Sequence, residues 1–341
     1  MNDPGDLVDL VAATFGCAHR PVHAVGTGLV GSFTPALGAA TFCRAPIFAG
    51  APIPVTARFS NGNGTMAGDE RVADARGLAV RFHCSDSGID NRTDNGSDVG
   101  PDHVAEPAPG TALDLIAMTL PCFFARTPDD FADFCRLSVP SPDTGVVDAS
   151  AMTAWLATHP TSLTAVEMVA QLGIDVSYAA ITYFSVHAFN FLGAGAAAST
   201  ARFSWVPDTP IAPLPASTDL SKEPLDRLRR ELTSRVRTGQ TPGFQLRVQV
   251  QGPNDAADDP TQLWTSTDVR TLGHLTLSGF VHDQFGDCEA LRFNPTRLID
   301  GIEATDDPIL HARGAAYERS GHRRNLAFAS TSRLLPVPVS I

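Results

Sequence analysis

The amino-acid sequence predicts an α+β protein in which a closed antiparallel β-barrel carries appended helices. Its predicted elements come in the order strands, helices, strands, helix, strands, helix, with several strands directly following one another. The chain has 341 residues and is 43% hydrophobic, which is enough for a full core in one large domain or two ordinary ones. Its 28 glycines and 26 prolines indicate a loop-rich fold.

The beginning of the chain combines one short helix with strands. Residues 6–16 have the apolar spacing of a short amphipathic helix. The stretch 19–33 contains a proline and several glycines, so it is expected to be extended chain and turns. Residues 53–60 and 77–83 alternate apolar with polar or basic side chains and are predicted to be strands.

A loop and a group of helices follow. Residues 84–110 are polar, acidic and rich in glycine and proline, and because they can bury little, they are predicted to be a mobile surface loop. A buried strand is expected at 112–118. Three helical segments lie between Pro128 and Leu172, and Pro160 ends the second of them.

The second half of the chain is expected to complete the sheet. Residues 180–193 alternate and predict a long strand with 201–208 as its hairpin partner. His187, within the first of these, faces inward or outward according to the register. Further strands are predicted at 243–252 and 271–280, around a polar turn.

Two helices in this half have clear signals. Residues 222–239 form an amphipathic pattern that opens at Glu223 and Pro224. Its apolar face is predicted to consist of Leu225, Leu228, Leu232 and Val236. The last helix should begin at Pro308, with Asp307 as its N-cap, and run to about Arg324.

Composition and charge exclude several classes of function. The net charge is −12, so a nucleic-acid or anionic-membrane partner is not expected. The chain lacks the run of about 18 apolar residues that a membrane span needs. Its acidic N-terminus does not have the pattern of a secretory signal. The six cysteines are scattered, which favours reduced, buried thiols over a disulfide frame or a zinc site, and a cytoplasmic location is expected.

One stripe of the last helix carries a possible site. At about 100° per residue, Arg313 and Tyr317 lie roughly 40° apart on the helix surface, and Tyr317 and Arg324 roughly 20° apart. An arginine held against a tyrosine favours the tyrosinate, which is a hard anionic ligand for haem iron. The second arginine could reach a haem propionate. Basic residues are also ordinary near the C-terminus of a helix, so the spacing alone is consistent with a surface stripe that binds nothing.

Four segments, in order, resemble the haem catalase superfamily. They begin at Arg20 (R-x-V-H-A-x-G-x-G), at Arg58 (RFS, then DARGLAVRFH), at Asp114 (DL, then P-x-FF-x-R) and at Phe293 (F-x-P-x-R-L-x-D-G-I, then R-x-x-x-Y). The resemblance covers about residues 18 to 324. It implies a single catalase-like haem domain over residues 1–341, with a barrel of about eight strands around the haem.

The resemblance also implies a haem b site with its iron. Tyr317 would be the proximal iron ligand, kept ionised by Arg313, and His23 would be the distal acid–base residue, oriented by Ser60. The propionates would be held by arginines, namely Arg20, Arg58 and Arg324. Phe131 would stack on the haem. Each residue also has an ordinary alternative: a structural histidine, a strand-edge arginine, a turn serine or a core phenylalanine.

The chain departs from the family at its asparagine pair, where Met118 and Thr119 stand. Because Thr119 stands at one of the two asparagine positions, the resemblance makes it a candidate catalytic residue. Loss of the amide should weaken peroxide dismutation and is typical of short catalase-related peroxidases. Val22, a candidate haem contact, precedes the distal histidine where catalase-like allene oxide synthases carry threonine. This favours peroxide reduction or dismutation over isomerisation.

The resemblance therefore implies a haem peroxidase or catalase. It would cleave hydrogen peroxide or organic hydroperoxides heterolytically through a ferryl haem, with an organic reductant or a second peroxide as electron donor. The alternatives are a hydroperoxide isomerase of the allene oxide synthase type and a haem-binding barrel without turnover. The expected partners are a peroxide substrate and a small organic reductant, in a monomer or homodimer, because the family's terminal extensions are missing.

Overall fold

The computed structural model describes residues 9–10, 20–64, 68–84, 107–139, 145–195, 197–282, 284 and 287–332, with side chains in the last helix described up to Arg324. The predicted helix over residues 6–16 and the predicted surface loop over 84–110 lie almost entirely outside the described residues. Within the described part of the chain, no helix combines the length and apolarity that crossing a membrane requires.

Nine antiparallel strands, counted over the described residues, form one sheet in the order β4-β3-β2-β1-β8-β7-β6-β5-β9. They are β1 Gly26–Pro35, β2 Ile53–Asn61, β3 Arg76–His83, β4 Ala112–Met118, β5 Tyr183–Leu192, β6 Ala198–Pro207, β7 Gly243–Val250, β8 Val269–Phe280 and β9 Ile302–Ala304. The first eight close into a barrel because β4 also pairs with β5, through Met118 and Phe184. The predicted closed antiparallel barrel is thus confirmed.

The helices of the described residues surround this barrel. They are α1 Ala39–Phe42, α2 Pro128–Leu137, α3 Ala149–Thr158, α4 Pro160–Ala170, α5 Arg227–Arg237, α6 Asp287–Ala290 and α7 Pro308–Ser332. The three helical segments predicted after Pro128 are present as α2, α3 and α4. The last helix begins at Pro308 as predicted but continues beyond Arg324 to Ser332.

The predicted start of α5 at residues 222–224 is wrong. The helix begins at Arg227, and Leu225, which was expected on its apolar face, is 46% exposed. The buried carboxylate of Glu70, from the loop between β2 and β3, accepts the N–H groups of Leu228 and Arg229 at 2.8 and 3.1 Å. A residue distant in sequence therefore caps this helix, and local pattern could not reveal it.

Strand β1 was expected only as extended chain and turns, yet it is a central strand of the barrel. It pairs with β2 on one side and β8 on the other, with a register shift at Val30 and Gly31. A Cβ at Gly31 would collide with the carbonyl oxygen of Thr276. The glycines that argue against regular structure in the sequence permit the close approach of β8.

The barrel interior is a packed aromatic core. The ring of Phe33 lies 5.1 Å from Phe82 and 6.4 Å from Trp205, and that of Phe59 lies 5.9 Å from Tyr183. All of these side chains are fully buried. The barrel therefore does not surround the candidate site, contrary to expectation, because its interior is filled by its own side chains.

The segment before α7 is anchored to the outer face of the barrel by buried charges. Arg81 on β3 donates to both oxygens of Asp114 on β4, at 2.8 and 2.9 Å. Asp114 also accepts from the Asn294 N–H at 2.8 Å and from the Arg297 guanidinium. Because Asp114 is fully buried, this network fixes the approach of α7 to the barrel.

Helix α7 then lies against the anchored segment through two glycines. A Cβ at Gly314 would lie 2.5 Å from Thr296 Oγ1, and one at Gly321 would lie 2.5 Å from Arg292 Cδ. Seven residues make about two turns, so both glycines lie on one side of α7. The neighbouring stripe of α7, which carries Arg313 and Tyr317, therefore faces the barrel.

Replacing Asp114 with Ala should lower the free energy of unfolding by about 3–5 kcal/mol, because it leaves two arginines partly buried without their carboxylate. The matched control is Asp300→Ala, which removes an exposed partner of Arg44 and should lower the free energy of unfolding much less. Urea denaturation followed by circular dichroism measures both. Equal losses in the two variants would contradict the anchoring role of Asp114.

Candidate active site

The candidate site lies on the outer face of the barrel, beneath α7. Along β2, β3 and β4, alternate residues such as Phe59, Leu78 and Ala117 fill the interior, so their neighbours point outward. The register aligns three of these outward residues, Ser60, Gly77 and Met118, in one row across the strands. We call this set the distal row.

His23 is held against the distal row by an unusual backbone conformation. Its φ is +55°, in the left-handed region, and its N–H donates to the carbonyl oxygen of Gly62 at 3.1 Å. The imidazole Nδ1 lies 3.0 Å from Ser60 Oγ. A Cβ at position 77 would lie 2.7 Å from Ser60 Oγ and 3.0 Å from the His23 ring. Gly77, which the sequence analysis missed, is therefore required for this pair.

The environment of His23 keeps its imidazole neutral. Burial, together with the positive charges of Arg58, Arg313 and Arg20, lowers the pKa of His23 to about 3. In the tautomer whose Nδ1–H donates to Ser60 Oγ, Nε2 retains the lone pair of a base. Nε2 of His23 is thus unprotonated at any ordinary pH, as a general base must be before it acts.

Tyr317 on α7 is the end of a hydrogen-bonded series. Arg313 Nη2 donates to the Tyr317 hydroxyl oxygen at 2.9 Å, and the guanidinium lies 5.4 Å from the centre of the phenol ring. Arg313 Nη1 is 2.8 Å from Nε2 of the buried His187, whose Nδ1 is 2.6 Å from Asp307 Oδ2. We call Asp307, His187, Arg313 and Tyr317 the proximal series.

The series fixes the tautomer of His187. A guanidinium only donates, so Nε2 must accept and Nδ1–H must donate to the Asp307 carboxylate. Burial lowers the pKa of His187 to about 4, although its hydrogen bond to Asp307 acts in the opposite direction. His187 is therefore a neutral connector between a carboxylate and a guanidinium.

Asp307 has two functions, of which the sequence revealed one. Its Oδ1 accepts the N–H groups of Ile309 and Leu310 at 2.9 and 3.2 Å, which confirms the predicted N-cap. Its Oδ2 bonds His187, a partner 120 residues away in the chain. The alternation of β5 left the direction of His187 open, and only the register of the closed sheet shows that it points toward α7.

Three of the predicted arginines come together around one carboxylate, that of Glu289. Arg20 Nη1 lies 2.7 Å from Glu289 Oε2, and Arg58 Nη2 lies 3.4 Å from Glu289 Oε1. Arg324 faces the same group, and the Nε atoms of Arg58 and Arg324 are buried without a partner among the described atoms. Burial and the two neighbouring guanidiniums hold the pKa of Arg20 well below its usual range. This arginine cluster has an excess of positive charge that suits anionic groups.

An apolar patch joins the distal row to the proximal series. Phe131 packs with Phe123, at 5.2 Å between ring centres, and Met118 belongs to the same cluster. Val186 and Ile309, near His187 and Asp307 in the chain, complete it. Phe131, in the first turn of α2, thus lies beside the site.

Two predicted residues are less closely connected with the others. Thr119 Oγ1 accepts the N–H of Arg76 at 3.1 Å, and no described contact joins Thr119 to His23. Met118, not Thr119, continues the distal row. Val22 is 40% exposed beside His23. The catalytic role of Thr119 and the haem contact of Val22 stay predictions.

Comparisons with known proteins identify the family of this chain. Residues 16–95 and 110–337 match the catalase family. A catalase-related peroxidase of Mycolicibacterium paratuberculosis is 31% identical, over 93% of this chain and 93% of its own length. One from Synechococcus elongatus is 27% identical, over 94% and 88%. A catalase of Vibrio vulnificus is 27% identical, over 87% of this chain and 56% of its own length.

Solved structures share the fold. Catalase A from Saccharomyces cerevisiae superposes with a TM-score of 0.74 at 21% identity, and a fungal catalase superposes with 0.74 at 20%. The matches cover 90% and 95% of this chain but only 61% and 65% of those proteins. This chain therefore spans less than two thirds of either structure.

The neutral His187 should make stability depend on pH. The unfolded chain binds a proton at a pKa of about 6.5, the folded one near 4, so this stability is complete above about pH 7 and is lost as the pH falls toward 4. Urea denaturation should show the wild type losing roughly 2 kcal/mol more than His187→Gln between about pH 7 and pH 5. Equal losses in both proteins would mean that His187 does not titrate as the structure indicates.

Proposed function

Because the chain belongs to the catalase family, we propose that it is a haem-dependent oxidoreductase that reduces peroxides with electrons from an organic donor. The observation that carries the proposal is the presence of two functional groups that are each held in position by neighbouring residues. His23 is held as a neutral base on the barrel, and Tyr317 is held on α7 by the proximal series.

The residues present fit a haem b. Tyr317 would hold its iron, and the arginine cluster would hold its propionates. Its guanidiniums exceed its single carboxylate, and two of their N–H groups lack partners within the part of the chain that the structure describes. Two propionates would bring Arg20, Arg58, Arg324 and Glu289 to electrical neutrality. When bound, haem supplies the redox-active iron that accepts oxygen from the peroxide.

On the distal side, the residues of this chain handle the proton. His23 Nε2 would take the proton of the incoming hydroperoxide and return it to the leaving oxygen. Ser60 holds Nδ1, and Gly77 leaves room for the ring. Because of its low pKa, His23 is unprotonated when the hydroperoxide arrives.

On the proximal side, the residues hold Tyr317 in position. Arg313 donates to the phenol oxygen and so orients the side chain that would serve as the iron ligand. His187 and Asp307 hold the second arm of the guanidinium and prevent its rotation. His187 and Asp307 are buried between β5 and α7, whereas Arg313 and Tyr317 are half-buried.

Met118 bears on the choice of substrate. Its thioether replaces an amide in the distal row, so a second hydrogen peroxide finds no hydrogen-bond donor there. The neighbouring Phe123, Phe124 and Phe131 offer an apolar surface. We infer that an organic hydroperoxide and an organic donor are preferred to peroxide dismutation. A cytoplasmic monomer or homodimer with one haem domain stays a prediction.

The absorption spectrum of the haemin-reconstituted protein tests the proposal. A Soret band and high-spin ferric bands of tyrosinate type are expected, and cumene hydroperoxide with hydroquinone should give steady oxidation of the donor. Absence of a Soret band after reconstitution would overturn the haem site. A spectrum unchanged by hydroperoxide, with no donor oxidised, would overturn the activity.

Replacing Tyr317 with Phe should weaken haem binding or make the haem six-coordinate, because the anionic ligand is lost. Haem titration and the ferric charge-transfer band measure this change. Arg313→Lys is the companion variant, which keeps the charge but loses the fork that joins His187 to Tyr317. A wild-type charge-transfer band in Tyr317→Phe would exclude Tyr317 as the ligand.

Replacing Met118 with Asn should raise the rate of oxygen evolution relative to the rate of donor oxidation by about tenfold, since it restores an amide to the distal row. The control is Met152→Asn on α3, away from the distal row, which should leave the ratio unchanged. An oxygen electrode and donor absorbance give the two rates. An unaltered ratio in Met118→Asn would show that the missing amide does not set the preference.

A further inference from the structure

We propose that Trp155 is a second oxidation site, at which a donor too large to reach the buried site gives up its electrons. The inference rests on the proposed function, because reduction of a hydroperoxide at the candidate active site supplies the oxidising power. It identifies where a bulky reductant acts.

A continuous series of aromatic rings leads outward from the site. Phe131 stacks on Phe124 at 6.3 Å between ring centres, and Phe124 stacks on Phe134 at 4.8 Å. Phe134 lies 5.9 Å from Trp155, whose indole stacks on His159 at 4.1 Å with an angle of 14° between the planes. Such contacts leave no gap that would interrupt electron tunnelling between Phe131 and Trp155.

The inner end of this series borders the candidate active site. Phe124 and Phe131 belong to the apolar patch that contains Met118 of the distal row. Val186 and Ile309 of the same patch are near the proximal series in the chain. An electron leaving the ring series therefore arrives beside Met118 of the distal row.

The outer end reaches the surface of the α2–α3–α4 region. Trp155 is 9% exposed, and the His159 side chain that covers it is 29% exposed, with Nε2 3.5 Å from Asp130 Oδ1. Two further carboxylates, Asp129 and Asp148, stand near the starts of α2 and α3, whereas Asp133 is paired with Arg136 at 2.6 Å. This acidic surface suits a positively charged donor.

Trp155 can lose one electron without losing a proton. Its Nε1 is buried and has no hydrogen-bond partner among the described atoms, so nothing accepts its hydrogen. Oxidation should give an indole radical cation, which a donor outside returns to indole by giving one electron. Two donors in succession supply the two electrons. With two protons from solvent, these convert the hydroperoxide to an alcohol and water.

The chain offers a matched control in Trp264. It has the same exposure of 9%, but it lies outside the ring series, and its Nε1–H donates to the carbonyl oxygen of Ala256 at 2.9 Å. If the two tryptophans serve only packing, substitution of either should have the same effect on the oxidation rates. If Trp155 carries electrons, its substitution should have an effect that substitution of Trp264 does not have.

The experiment compares haem-reconstituted wild type, Trp155→Phe and Trp264→Phe with cumene hydroperoxide and two donors. Hydroquinone is small enough to enter the site, whereas ferrocytochrome c is a cationic protein that must react at the surface. Trp155→Phe should lose about tenfold or more of the ferrocytochrome c rate and keep the hydroquinone rate within about twofold. Trp264→Phe should keep both rates.

A second readout does not depend on a donor. Freeze-quenched electron paramagnetic resonance after hydroperoxide should show a protonated indole radical in the wild type and in Trp264→Phe. Ring-deuterated tryptophan should narrow that signal, and Trp155→Phe should lack it. Thermal melts and the Soret band of each variant establish that it folds and binds haem.

The outcomes separate the two proposals. If the wild type oxidises neither donor, the proposed function fails and this inference fails with it. If the wild type oxidises both donors and Trp155→Phe is unchanged, or loses both rates in parallel, only the role of Trp155 is overturned. Oxidation of hydroquinone but not ferrocytochrome c by the wild type would also overturn it.

Discussion

The buried carboxylate of Asp307 determines the geometry on which the candidate site depends. One oxygen caps α7 and so fixes where the helix begins; the other holds Nδ1 of His187. The helix start sets the angular position of Arg313 and Tyr317, and the fixed tautomer of His187 orients the Arg313 guanidinium. The same group therefore aligns both ends of the proximal series, and three hydrogen bonds, from His187, Ile309 and Leu310, offset the cost of burying its charge.

The distal side differs from the proximal side, because its functional group is an uncharged imidazole. Burial disfavours protonation of His23, and the nearby arginines add to this effect. Its left-handed backbone is maintained by hydrogen bonds to the 62–63 turn. Backbone strain of this kind persists only where the surroundings hold it in place. The arginine cluster, which adds to the effect of burial on His23, is also the part of the site with excess positive charge, so one set of side chains serves both purposes.

The position of the site outside the barrel connects these features. The barrel interior is closed by aromatic packing, which makes its wall rigid. Outward residues of β2, β3 and β4 form one wall of the site, and α7, anchored through Asp114, forms the other. Met118 belongs both to the distal row and to the bridge that closes the barrel. A change at Met118 thus acts on chemistry and on fold together.

The sequence by itself determined what depends on local spacing: most strands and helices, the Asp307 cap, and the stripe of Arg313, Tyr317 and Arg324. These follow from periodicity and from side chains that bond their own backbone neighbours. Only the tertiary structure decided which partners those residues meet. His187 is 126 residues from Arg313, and Glu289 is 269 residues from Arg20. Glu70 caps a helix from 158 residues away. The need for Gly77 and the alignment of Met118 depend on strand register, which no local pattern specifies.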